Sequence, residues 1–216
     1  MKMSKAANAR IWQSVHQERL ALAADLRGLG SEQWNAPSLC PGWSVHDVLA
    51  HLVDVAKTTR LGFVRRMIAA RFDFDRDNQA GVDRERRTDP TQTLAAFEAV
   101  LGRTSTPPAD LATRLIEEIA HGEDIRRPLG IRRNYPIEAA TPALPYLVKT
   151  SKNFGGGKER CAGLRLVATD ADFSHGEGPE VRGGAVALLL ALSGRKVDDA
   201  ELDGPGSAEF LARLDG

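Results

Sequence analysis

The chain has 216 residues, 42% hydrophobic and 27% charged, with 29 basic and 29 acidic side chains. This composition is typical of one globular domain, or of one domain with a small appendage, and excludes a largely disordered chain. The zero net charge argues against a nucleic-acid partner. The longest apolar run, residues 185–192, is much shorter than the roughly 20 residues of a membrane span.

Cysteine content and the N-terminus indicate the compartment. Two cysteines, Cys40 and Cys161, are too few to crosslink a secreted fold of this size. The first ten residues lead into an amphipathic stretch with no apolar signal-peptide core. We therefore expect a cytoplasmic protein with no nucleic-acid and no membrane partner.

The first 150 residues have the apolar spacing of helices. This spacing predicts a helix over residues 4–27 and a second from Val45 to about Arg71, with Ser44 and Asp47 as a capping box at its start. The charged segment 73–89 is expected to be an exposed linker. Three more helices are predicted over 91–101, 107–127 and 142–152.

The pattern changes after the glycine run 155–157. Residues 163–170 alternate like a strand, residues 174–182 predict a second strand, and helical segments follow over 183–192 and 208–214. The sequence therefore predicts a mainly α protein. We expect a helical bundle over residues 1–154 and a small C-terminal α/β region over residues 158–216.

Three side chains form a candidate metal site. His121 follows Glu117 by four residues within one predicted helix, so both project from the same side. His51 lies at the edge of the apolar stripe of another predicted helix, and two helices of a bundle can direct side chains into one cavity. Two imidazoles and a carboxylate are a common ligand set for a catalytic zinc or similar divalent ion with open positions.

Other interpretations of these residues stay open. Asp47 and His51 have the same spacing, so Glu117 and His121 fit a surface ion pair as well. On a helical wheel, Glu117 and His121 lie well away from the apolar arc of their helix, which favours exposure to water. A metal site requires that this face of the helix borders a polar cavity. No catalytic or cofactor-contacting residue is identified.

The roles of three more residues are left open. Cys40 is interpreted as part of a structural CPGW turn, because no histidine adjacent in sequence would lower its pKa. Arg126 could favour a helix dipole or bind an anion. Arg182 is a similar candidate in the tail.

Two segments resemble signatures of a known family. PSLCPGWSVHDVLAHL (residues 37–52) and EEIAHGEDIRRPLG (residues 117–130) resemble motifs of the mycothiol-dependent maleylpyruvate isomerase family, in its N-terminal domain. That domain belongs to the DinB-like four-helix bundles. The tail GLRLVATDADFSHGEGPEVRGGAVALLLALSGR (residues 163–195) resembles the segment that often follows in these actinobacterial proteins.

The resemblance implies a fold, a metal site and an activity. It implies a DinB-like four-helix bundle with a small C-terminal α/β extension. It also implies that His51, Glu117 and His121 hold a divalent metal, most commonly zinc.

Three functions remain open on this basis. One is an enzyme that activates the thiol mycothiol, as an isomerase or as a thiol S-transferase acting on an electrophilic small molecule. The others are a non-catalytic metal-binding or regulatory bundle and a simple ion-pair network. A homodimer is compatible with the neutral, alanine-rich surface.

Overall fold

A computed structural model describes residues 4–214. The chain divides into two compact units, the first ending at Arg133 and the second beginning at Asn134. Helices predominate, with a small four-stranded sheet in the second unit. The prediction of a mainly α protein with a small α/β part is confirmed.

Within the described residues, the regular elements of the first unit are helices, and an isolated β-bridge joins Pro37 and Ser44. Its helices are α1 (Lys5–Leu26), α2 (Ser31–Asn35), α3 (Val45–Lys57), α4 (Arg60–Ala69), α5 (Phe74–Glu85), α6 (Pro90–Glu98) and α7 (Ala112–Arg126). Four of them form the bundle: α1 packs on α6 and α7, and α3 packs on the same two helices. The core between them includes Leu22, Leu49, Leu52 and Phe97, all 0–1% exposed.

Side-chain caps fix where α3 begins. The Ser44 hydroxyl accepts a hydrogen bond from the Asp47 backbone N–H, and the Asp47 carboxylate accepts one from the Ser44 N–H. This reciprocal pair is the predicted capping box, and it satisfies two backbone donors that the first helical turn leaves open. The start of the helix that carries His51 is therefore determined locally.

The prediction of a single helix from Val45 to Arg71 is wrong, because the helix is interrupted at residues 58–59. Thr58 donates its hydroxyl to the Asp54 carbonyl, and Thr59 caps a new helix by accepting from the Gly62 N–H. Threonine hydroxyls compete in this way with the backbone bonds of a continuing helix. The helical spacing of apolar residues continues across this interruption, so the sequence pattern alone does not reveal it.

The linker expected over residues 73–89 is also wrong, since Phe74–Glu85 form a helix, although most of the segment is exposed as expected. Asp73 caps α5, and this helix packs along α3. Some charges are paired across this packing: Arg66 and Arg84 both bind the buried carboxylate of Asp54 at 2.7 Å, and Arg66 also binds Asp77 at 3.0 Å. A charge run is compatible with a packed helix when opposite charges meet in this way.

The second unit combines short helices with a sheet. Its elements are α8 (Ile137–Ala140), α9 (Leu144–Leu147), β1 (Arg165–Ala168), β2 (Ser174–His175), β3 (Glu180–Gly183), α10 (Ala185–Leu192), β4 (Leu202–Asp203) and α11 (Ser207–Ala212). The strand order is β2-β1-β3-β4. β1 and β3 are parallel, whereas β2 and β4 are antiparallel edge strands.

The unit boundary lies earlier in the chain than the glycine run that suggested one. α8 and α9 both contact the apolar helix α10, so they belong to the second unit. Gly157 donates its N–H to the Leu147 carbonyl, and a Cβ there would stand 2.5 Å from a Leu192 methyl group. This glycine allows close packing rather than acting as a flexible linker.

No helix within residues 4–214 combines the length and the apolarity that crossing a lipid bilayer would require.

Candidate metal centre

α3 positions His51 in the interior of the first unit. The histidine is 4% exposed, two turns into α3 and between apolar residues that face the core. The Trp43 ring lies against it, with 5.1 Å between ring centroids. Within residues 4–214, no group hydrogen-bonds its buried Nδ1 atom.

α7 positions Glu117 and His121. This helix is buried on nearly all sides. Its buried residues include polar ones as well as apolar ones, among them Arg114, Glu118, Asp124 and Arg126. The side chains of Glu117 and His121 are accordingly only 28% and 13% exposed. The interpretation that both face water is wrong, since the apolar arc does not mark the whole buried surface of this helix.

The structure brings the three predicted side chains together. Glu117 Oε2 lies 3.3 Å from Nε2 of His121 and 3.6 Å from Nε2 of His51. The two imidazole rings meet edge to face at a centroid distance of 4.8 Å. One potential ligand atom from each of the three residues lies within 4.8 Å of those of the other two.

These three residues fit a divalent cation. Glu117 Oε2 is buried, and no group in the described part of the chain hydrogen-bonds it with good geometry. Zinc bonds of about 2.0–2.2 Å in a tetrahedron place ligand atoms about 3.3–3.6 Å apart. The distances between this oxygen and the two nitrogens fall in that range.

Electrostatics at the site favour an ionised carboxylate beside a neutral imidazole. Burial lowers the pKa of His51 below its ordinary value of 6.5, although Glu117 opposes this. Burial also tends to raise the pKa of Glu117, but its contacts with His121 and His51 outweigh burial and hold that pKa well below its usual range. Neutral imidazole and ionised carboxylate are the forms that bind metal ions.

Two further residues contact His121 from the other side of its ring. Asp124 Oδ2 lies 2.9 Å from His121 Nδ1, and the Cys40 thiol donates to the same oxygen at 3.1 Å. Cys40 Sγ is 3.5 Å from Nδ1. The cysteine that had no histidine near it in sequence therefore has one in space.

The contacts of Cys40, Asp124 and His121 are those of a hydrogen-bonded group. The 2.9 Å between Nδ1 and Oδ2 is an ordinary hydrogen-bond length and shorter than the spacing of two zinc ligands. The group also differs from a nucleophilic triad, in which the nucleophile and the carboxylate contact different ring nitrogens. Here both Cys40 and Asp124 approach Nδ1.

Sequence reasoning missed Asp124. The available signal was the spacing of three residues after His121, which places both side chains on one face of α7. Asp124 is completely buried. A buried carboxylate one turn from a candidate ligand is a reason to test for support of that ligand.

The structure gives Arg126 and Arg182 other surroundings. Arg126 is buried and binds Asp25 of α1 at 2.7 Å, so it joins two helices of the bundle. Arg182 lies half-exposed on β3, near Glu180 and Asp203. Neither belongs to the group formed by His51, Glu117 and His121.

Comparisons with known proteins agree with this fold. Residues 15–113 match the family model of the mycothiol maleylpyruvate isomerase N-terminal domain. A crystal structure of the mycothiol-dependent maleylpyruvate isomerase is similar, with a TM-score of 0.63 and 14% identity over 93% of each chain. A histidine-to-alanine mutant of that enzyme aligns with the same TM-score at 13% identity over 93% of each chain. No curated protein matches the chain in sequence.

The structural likeness establishes the shared fold. The segment that matches the family model contains α3 and ends at residue 113, two residues into α7. The motif at residues 37–52 lies inside the matched region. Over residues 15–113, a little under half of its length, this chain is therefore similar to the mycothiol maleylpyruvate isomerase N-terminal domain family.

Proposed function

We propose that the protein is a metal-dependent enzyme that activates a low-molecular-weight thiol, mycothiol by family, for isomerisation of an electrophilic small molecule or S-transfer to it. His51, Glu117 and His121 would hold the divalent ion, zinc being the metal their donor atoms suit best. A cytoplasmic location belongs to the same proposal.

One observation carries this proposal: three electron-pair donors converge in a largely buried place. With its Nδ1 proton donated to Asp124 at 2.9 Å, a neutral His121 would direct the lone pair of Nε2 at the carboxylate oxygen of Glu117, 3.3 Å away. Two acceptors at this distance repel each other unless a cation or a proton lies between them. A divalent cation resolves the conflict for all three side chains at once.

The chain's own residues divide the remaining tasks. Glu117 supplies one negative charge, and two neutral imidazoles supply none, so the site keeps a net positive charge when loaded with a divalent ion. Arg114 lies 3.8 Å from the second oxygen of Glu117, on the side away from the histidines. Loaded with a divalent ion, the site would lower the pKa of a bound thiol from about 8.5, so that the thiolate would predominate at neutral pH.

The exposure of the three side chains indicates where a small molecule can approach. Glu117 is 28% exposed, whereas His51 is 5% exposed at the side chain and backed by Trp43. A thiol would therefore arrive from the side of Glu117, and the aromatic ring limits water on the side of His51. An electrophilic substrate must reach the sulfur from the same open side.

Two alternatives make different predictions. A non-catalytic metal-binding bundle would use the same three ligands without turnover. An ion-pair network would carry an imidazolium at His121 between Glu117 and Asp124, which are 3.3 and 2.9 Å from its two nitrogens. The second alternative requires no metal.

Metal analysis separates the site from the ion-pair network. Protein purified without a histidine tag is expected to contain close to one equivalent of divalent metal. His51→Ala and His121→Ala should each abolish binding, whereas His175→Ala, in β2 of the second unit, should leave it intact. Full metal content in His121→Ala would refute the ligand assignment.

Turnover separates an enzyme from a binding protein. We expect consumption of mycothiol with a chloroarene, or isomerisation of maleylpyruvate with mycothiol present, to disappear after metal removal and to return with zinc. If a metal-loaded protein gives no metal-dependent reaction with either substrate, the non-catalytic interpretation replaces the enzymatic one.

A further inference from the structure

We propose that Asp124 is a positioning residue for His121, and that the Cys40 thiol is a hydrogen-bond donor that fixes Asp124. This inference deepens the proposed function and rests on it where metal binding is concerned. Its geometric part concerns only the protein and is testable without metal.

The burial of Asp124 is the first argument. Its exposed fraction is 0%, and transferring a carboxylate from water to such a place is costly unless hydrogen bonds compensate. Oδ2 lies at hydrogen-bond distance from Nδ1 of His121 and from the thiol of Cys40. The side chain is therefore held in a defined place rather than free to rotate.

The second argument concerns the proton on His121. An ionised Asp124 can only accept hydrogen bonds, so with this side chain ionised the 2.9 Å contact would be donated by Nδ1 of His121. In the neutral ring this leaves the lone pair on Nε2, which is the atom nearest Glu117. Metal-binding histidines commonly have this support from a carboxylate, which fixes the ring and raises the basicity of the ligand nitrogen.

The third argument is that Asp124 also joins two chain segments. The Leu39 N–H donates to the Asp124 backbone carbonyl at 3.0 Å, directly before Cys40. This loop leads into α3, and its Trp43 ring contacts His51. One residue of α7 thus anchors the segment that precedes His51 while it orients His121.

Cys40 has a specific role in this arrangement. Its sulfur contacts Asp124 as a donor, and a serine hydroxyl can make the same hydrogen bond, whereas alanine cannot. A cysteine that ligated a metal or attacked a substrate would not tolerate serine equally. Comparing Cys40→Ser with Cys40→Ala therefore tests the donor role directly.

The first measurement is the affinity for zinc, by competition with a chromophoric chelator. Asp124→Asn and Asp124→Ala should weaken binding by about 10- to 100-fold, alanine more than asparagine. Cys40→Ala should cause a smaller loss, and Cys40→Ser should bind nearly as the wild type does. The visible spectrum of bound cobalt should change in the Asp124 variants, because the ring of His121 is no longer held.

Asp77→Asn is the matched control. Asp77 is a similarly buried carboxylate, 6% exposed, but its partner Arg66 belongs to the packing of α4 and α5. Its replacement should lower the melting temperature without a comparable loss of zinc affinity. Equal zinc affinity in the wild type and both Asp124 variants would overturn the proposal, as would equal losses in Asp77→Asn and Asp124→Asn.

The second measurement uses the metal-free protein and separates the two levels of the proposal. Nitrogen-15 NMR of wild-type His121 should show the proton on Nδ1, and Asp124→Ala should shift the ring toward the Nε2-protonated form. Should the wild type bind no metal, the proposed function fails, yet this NMR result would still support the positioning role. A wild-type ring protonated on Nε2 alone would overturn it. If Asp124→Ala does not fold, Asp124→Asn, which keeps the side-chain volume, is measured in its place, and an unchanged His121 ring would overturn the positioning role.

Discussion

The carboxylate of Asp54 lies directly against the α-carbon of Gly81, where an added methyl group would stand 2.8 Å from Oδ2. Gly81 is in the middle of α5, so this contact sets how closely α5 approaches α3. The approach allows Asp54 to meet Arg66 and Arg84.

Replacing this glycine should therefore destabilise the bundle. In Gly81→Ala the carboxylate must move, and two arginines hold it in place. We expect a loss of about 1–3 kcal/mol, the range for overpacking, reduced by the better helix propensity of alanine. Urea unfolding would measure this. Gly102→Ala, where a Cβ meets nothing within 4 Å, should be nearly neutral, and equal effects at both positions would contradict the argument.

The buried pair of Arg19 and Glu118 gives a second prediction. Arg19 Nε donates to Glu118 Oε1 at 2.7 Å, and the two side chains are 0% and 2% exposed. Arg19→Leu leaves a buried carboxylate without this partner and should cost about 3–5 kcal/mol of the free energy of unfolding. The double variant with Glu118→Leu should recover most of it, because both charges of the pair are then removed together. A double variant as unstable as Arg19→Leu would show that packing, not charge, dominates.

His46 gives a pH dependence. It is 1% exposed, and burial lowers its pKa from the ordinary 6.5, with Arg86 adding to the effect. Below about pH 6.5 the unfolded chain takes up a proton that the folded protein does not, so stability falls as pH decreases toward the lowered folded-state pKa. Urea unfolding between about pH 7 and pH 5 should show this slope, and His46→Gln should reduce it, leaving the part that comes from His51, whose pKa burial also lowers. An unchanged slope in the variant would assign the effect elsewhere.

Metal removal gives a fourth prediction. An ion that binds only the folded protein raises the free energy of unfolding, by about 2.7 kcal/mol when its free concentration is 100 times Kd. Treatment with a chelator should therefore lower the melting temperature of the wild type, and added zinc should restore it. His121→Ala should show neither change. If neither the chelator nor added zinc changes the melting temperature of the wild type, the ion-pair network is favoured.

Much of the fold was predictable from local signals. The capping box of Ser44 and Asp47 and the start of α6 at Asp89-Pro90 depend on neighbouring residues, and the structure has both. The break at residues 58–59 and the packing of α5 depend on partners far along the chain, as in the pairing of Asp54 with Arg84. No local pattern contains that information.

The candidate site was predictable to a similar extent. The i,i+4 spacing and the family resemblance indicated Glu117, His121 and His51, which the structure brings together. Their role as metal ligands stays a proposal. The contacts of Asp124 and Cys40 were not predictable, because 84 positions separate the two residues and a buried carboxylate resembles an exposed one in sequence.

The all-round burial of α7 has a consequence for anyone who engineers this scaffold. A hydrophobicity profile classes its charged positions as a replaceable outer surface. Instead they carry the bundle's internal polar contacts, as at Arg114, Glu118 and Arg126. A mutational library should therefore find this helix among the least tolerant stretches of the chain, with its ionic residues as intolerant as its leucines.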